Sequence, residues 1–160
     1  MMKNMRLLTM LLLLLPCMLY AQRDLTTARS TLFSGAGNCV LCHGPGTNAN
    51  VTSTGKDVSP PNLWRSSMMA NAARDPFWQA VVVSESLDRP ALAEVIEDKC
   101  TNCHAPLGHE EAERNGDHAY MLSEAESNPL AMDGVSCTLC HQVASDNLGK
   151  NESFSGAYEI

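Results

Sequence analysis

The chain has 160 residues with 11 basic and 18 acidic side chains, a formal net charge of −7 and only 5% aromatic residues. An acidic balance of this size excludes nucleic acid and anionic membrane surfaces as the main partner, since both repel a negative protein. The length bounds the fold at one domain, and so few aromatic residues make a thin apolar core.

Residues 1–21 read as a secretory signal peptide, with Lys3 and Arg6 ahead of an apolar run over 7–15 that is too short to span a bilayer. Cleavage is expected after Ala21. Without Lys3 and Arg6 the remaining 22–160 segment carries 9 basic and 18 acidic residues, a formal charge of −9. The alternative is a lipoprotein with Cys17 as the acylated first residue, for which Pro16 is a poor neighbour. Either way the expected localisation is periplasmic or extracellular. No later segment has the roughly 18 apolar residues of a membrane helix.

From there the chain alternates order with loops. A helix is expected within 22–37, leading into Cys39-Val-Leu-Cys42-His43. Residues 44–62 are rich in Gly, Pro, Asn, Ser and Thr and read as a long surface loop, with Pro60-Pro61 as a breaker. A helix follows over 63–73, and Asp75-Pro76 caps and opens another that runs toward Ser86. Pro90 opens a third over 91–104, with Leu92, Val95, Ile96 and Cys100 near one face, ending in Cys100-Thr-Asn-Cys103-His104. Short helical pieces are expected at 110–114 and 119–127. Asp133-Gly134 turns into Cys137-Thr-Leu-Cys140-His141, and the polar tail holds one strand candidate, 157–160. The chain ends there without polar closure, so truncation of a longer protein is a standing expectation.

Cys-x-x-Cys-His is the signature of covalent c-type haem attachment, with two thiols aimed at one porphyrin and an adjacent imidazole for the iron. Six of the seven cysteines lie in the three copies, and Cys17 lies in the expected leader. A disulfide framework has no reason to place His after every pair. Zinc is the stronger rival, but an odd number of pairs leaves one unused. The expectation is three covalent haem c groups on Cys39, Cys42, Cys100, Cys103, Cys137 and Cys140, with His43, His104 and His141 as proximal iron ligands. The haems are expected to form the core, so a chain with Ser at the motif cysteines should stay unfolded.

Sixth ligands decide between carrier and catalyst. Beyond the motifs only His109 and His118 remain, so at least one iron takes Met, an external ligand or none. His109 lies five residues past His104, too few to pass around a porphyrin edge, and is a candidate distal ligand for a neighbouring haem only. His118 reaches either. The alternative for both is a surface histidine in an acidic stretch.

The motifs, with Leu63-Trp64-Arg65-Ser66-Ser67-Met68-Met69-Ala70, Ala73-Arg74-Asp75-Pro76-Phe77-Trp78 and Gly134-Val135-Ser136, resemble secreted bacterial multihaem cytochromes c. More loosely, Trp64-x-x-Ser67-x-Met69-Ala70 is similar to a Trp-x-x-Ser-x-His-Ala element of the hydroxylamine oxidoreductase and octahaem reductase group, whose His is a distal haem ligand. The resemblance implies Met69, with Met68 behind it, as a candidate distal ligand; packing against a porphyrin is the alternative use of a Met pair. Enzymes of that group carry an open site marked by a crosslinking Tyr or by Lys in place of the proximal His, and all three motifs here end in His.

The expected class is mainly α with long loops, a multihaem cytochrome c built around its haems. The expected function is electron transfer with protein redox partners. The alternatives are the haem-bearing part of an oxidoreductase acting on a small nitrogen compound or oxyanion at an open haem, and a haem-based gas binder.

Overall fold

A computed structural model describes residues 24–117 and 119–160. The expected signal peptide with Cys17, and the candidate ligand His118, lie outside the described residues. The fold is mainly helical, as expected, and no described residue belongs to a sheet strand. Two isolated bridges, Arg29 with Ser34 and Val51 with Asp57, are the extended pairings among the described residues.

The segment expected to be a first helix is instead a tight reversal. Ser30 Oγ accepts the N–H groups of Leu32 and Phe33 at 3.3 and 2.8 Å, a local turn that competes with helix. The returning strand-like arm donates from Gly35 N to Ala28 O and from Gly37 N to Thr26 O, both at 2.9 Å. The chain then enters a 3₁₀ turn, Ala36–Cys39, continuous with helix α1, Val40–His43.

Pro60-Pro61 does not break structure but opens it. Helix α2 runs Pro60–Arg65 with proline in its first turn, where a missing N–H costs nothing. The helix expected over 63–73 is divided at Ser66 and Ser67, and Ser67 Oγ accepts from Ala70 N to cap α3, Met68–Asn71. Asp75 Oδ1 accepts from Phe77 N and caps α4, Pro76–Asp88. A 3₁₀ turn, Pro90–Leu92, leads to α5, Ala93–His104, which folds back along α4.

Helix α6, Pro106–Asn115, starts earlier than sequence suggests and stops at Gly116, whose φ of +88° allows the left-handed cap. The expected piece at 119–127 begins only at α7, Leu122–Ser127, because Tyr120 is held extended: its N–H donates to Asp98 Oδ1 at 3.0 Å and its carbonyl accepts from Thr101 Oγ at 2.7 Å. A 3₁₀ turn, Ala131–Asp133, and the turn at Gly134 precede α8, Cys137–Cys140. The tail holds one 3₁₀ turn, Asn151–Ser153, and no strand at 157–160. It is tied back by Ala144 N donating to Glu159 O at 2.8 Å and by Arg114 reaching the Ile160 carbonyl at 3.1 Å.

The apolar core is split into small clusters rather than gathered in one. Ala73, Ala105, Ala112, Tyr120, Ala125 and Ala131 form the first; Phe33, Leu107, Leu130 and Leu139 the second; Trp78, Val82 and Leu122 the third. Large apolar side chains meanwhile stand exposed, Leu41 at 87%, Met68 at 77% and Phe77 at 74%. Of the four apolar residues read near one face of this segment, Leu92 and Val95 are exposed, whereas Ile96 is half-buried and Cys100 packs against Trp78, Val82 and Leu122; Thr101 beside it is fully buried.

Candidate functional site

Each pentapeptide folds onto a helical turn. Cys39 ends the 3₁₀ turn and Cys42 and His43 lie in α1; Cys100, Cys103 and His104 form the last turn of α5; Cys137 and Cys140 bound α8, with His141 as its cap. Residues three apart on such a turn share a face, so each pair of thiols points the same way. The first cysteine of each pair is half-buried and the second exposed, and no disulfide joins any two of the six.

The first and third motifs are brought together although nearly a hundred residues separate them. Cys39, His43, Pro60, Pro61, Cys137, Thr138 and His141 line one cleft of about 400 Å³. Burial, then the adjacent Cys39 thiol, pushes the Cys137 thiol up to about 11. Thr138 donates to Ser34 O at 3.0 Å and accepts from Ser34 N at 3.3 Å, while Gln142 reaches Leu32 O at 2.8 Å.

Asp133 locks the same junction. Fully buried, its Oδ2 accepts from Ala36 N at 2.9 Å and from Ser136 Oγ at 2.6 Å, so one carboxylate holds the turns that lead into both motifs. Arg74 donates to Met132 O at 2.6 Å beside it; burial lowers the guanidinium pKa, and Asp133 opposes that shift. Gly134 follows with φ of +71°, and a Cβ there would lie 2.5 Å from Met69 O. Only glycine admits that approach, which lets Val135 N donate to Met69 O at 3.0 Å. Trp64 Nε1 donates to Val135 O at 2.9 Å and completes the link between α2, α3 and the third motif.

The second motif faces a different cleft, of about 280 Å³, lined by Met68, Met69, Ala72, Asp75, Cys103, His104 and Val135. His104 is fixed there. Its Nδ1 lies 3.0 Å from Ala72 O, and a carbonyl only accepts, so Nδ1 carries the proton and Nε2 presents its lone pair. Trp78 stacks on the same ring at 4.4 Å. Met69, half-exposed, precedes Ala72 by three residues and so shares its helical face.

His109 does not join either cleft. It is buried rather than a surface histidine, at 7% exposure, with Nε2 3.0 Å from Asp98 Oδ1 and the ring edge-on to Tyr120. Beside it burial, then Glu113, raises the Glu110 carboxyl. The Tyr158 hydroxyl is buried without a partner among the described residues. Burial, then the neighbouring Glu110, Cys103 and Cys140, raises its pKa.

Asp133, Trp78 and Asp98 are the residues sequence reasoning missed. A buried acid after a helix reads as a turn former, and no local pattern marks its partners 97 residues away. Comparison with protein-family models, with curated proteins and with solved structures found no match.

Proposed function

We propose that the chain is an exported electron-transfer protein carrying three covalently bound c-type haems. The observation that carries this reading is that all three Cys-x-x-Cys-His pentapeptides occupy helical turns, with paired thiols on one face and an imidazole next to each pair. When bound, each haem supplies an iron that cycles between ferric and ferrous states at a potential set by axial ligand, burial and hydrogen bonding.

The chain's own residues fit that group. The carbonyl of Ala72 fixes the His104 tautomer with Nε2 free, the arrangement that orients a ligating imidazole. Split core clusters and exposed Leu41, Met68 and Phe77 leave apolar surface for porphyrin faces to cover, which supports the haems as the main core. The shared cleft of the first and third motifs supports two haems close enough to exchange electrons.

Met69 is the proposed sixth ligand for the iron at His104, since it lines the same cleft. Among the described residues, the lining of the cleft between the first and third motifs includes no methionine, and its histidines are the two proposed as proximal ligands. That favours, as a second reading, an open iron able to take a small oxyanion or nitrogen compound. Carbon monoxide titration of the reduced, haem-loaded protein separates the two. No uptake supports a pure carrier, and uptake of one equivalent or more supports the open-site reading.

A further inference from the structure

A second kind of metal chemistry is built into α6, away from all three pentapeptides. His109, Glu110 and Glu113 present ligand atoms that all lie within 4.8 Å of one another. His109 and Glu113 are four residues apart and Glu110 and Glu113 three, spacings that converge on one side of a helix. Ring orientation is already fixed: Asp98 Oδ1 takes the Nε2 proton at 3.0 Å, and Asp98 is itself held by the Tyr120 N–H at 3.0 Å. Nδ1 therefore bears the lone pair.

That lone pair is the unexplained feature. The His109 side chain is only 9% exposed, and its Nδ1 is buried with no hydrogen-bond partner among the described residues. A buried nitrogen without a partner carries an uncompensated desolvation cost unless something donates to it or binds it. The two carboxylates of the cluster donate nothing when ionised. A cation answers both groups at once. A carboxylate on the far nitrogen of an imidazole is also the usual outer support of a metal-bound histidine. Arg114, the nearest fixed cation in sequence, is engaged with the Ile160 carbonyl.

We propose that His109 Nδ1, Glu110 and Glu113 bind one divalent first-row transition-metal ion, with Asp98 as its outer support and water in the remaining positions. One imidazole with two carboxylates suits Zn²⁺, Mn²⁺ or Fe²⁺ better than Mg²⁺ or Ca²⁺, which take oxygen ligands alone. Glu113 is exposed, so the site opens to solvent on the side where water would complete the coordination.

The test uses the mature, haem-loaded protein stripped with EDTA and titrated with Zn²⁺ by calorimetry. One equivalent should bind. Glu113→Gln, at an exposed position that leaves the fold intact, should weaken binding at least 10-fold without changing the visible haem spectrum, and His109→Ala should abolish it. Asp98→Asn should weaken it about 10- to 100-fold, the usual effect of losing an outer-shell partner. The proposal fails if the parent protein takes up no Zn²⁺, or if Glu113→Gln binds as tightly as the parent. It also fails if His109→Ala keeps its Zn²⁺ while one haem turns high-spin, for then His109 serves a haem iron.

Discussion

The indole of Trp78 lies flat against the imidazole of His104, with ring centroids 4.4 Å apart and planes 3° from parallel. Trp78 comes from α4 and His104 from the end of α5, so the stack joins the two helices where the second pentapeptide ends. With the Ala72 carbonyl on Nδ1, it leaves the ring one orientation.

Trp78→Ala should cost about 3–5 kcal/mol, since it removes a buried aromatic side chain and leaves a cavity. Trp78→Phe should recover most of that, because a phenyl ring refills much of the buried area and keeps an aromatic pair worth about 0.5–1.5 kcal/mol beyond that area. Urea unfolding of the two variants measures the difference. Equal losses would mean that stacking on His104 contributes nothing.

Asp133→Asn should destabilise by about 1.5–3 kcal/mol, the range for hydrogen bonds to a charged group, because one oxygen serves both Ala36 N and Ser136 Oγ. The local sign is faster amide exchange at Ala36. Exchange unchanged from the parent would remove Asp133 from its role at the junction of the first and third motifs.

Met69→Ala should convert one haem from low to high spin and create one equivalent of carbon monoxide binding per chain. An unchanged visible spectrum would show that Met69 only packs in the His104 cleft.

Alkali should act late and through the tyrosines. Burial, above all other causes, raises both Tyr120 and Tyr158 from an ordinary value of 10.0, so the fold prefers their neutral forms. The stability they lend is complete below pH 10 and is lost as the pH climbs from there through the folded values. Tyrosinate absorbance of the folded protein should therefore lag behind that of the unfolded chain as the pH passes 10 and rise together with unfolding. Titration of either residue near pH 10 in the folded state would contradict its burial.

What was legible in the sequence was local structure held in short segments. The three pentapeptides, the Asp75-Pro76 helix start and the turn at Gly134 all depend on neighbours within a few residues. Pro60-Pro61 misled because proline stops a helix it interrupts but suits one it begins, and the two cases look alike without the chain beyond. The reversal at 24–35 was hidden because its closing bonds, Gly37 to Thr26 among them, join residues that a helical reading would place apart. Met69 beside His104, Asp133 beneath two motifs and Asp98 on His109 are products of packing. Their partners stand from 11 to 97 residues away, and no periodicity reports them.

Covalent haem attachment is tested most directly by the mass of the intact mature protein, measured under denaturing conditions that release non-covalent groups. The expected mass is that of the polypeptide plus three haems, with no free thiol among Cys39, Cys42, Cys100, Cys103, Cys137 and Cys140. A bare polypeptide mass with six reactive thiols would contradict it.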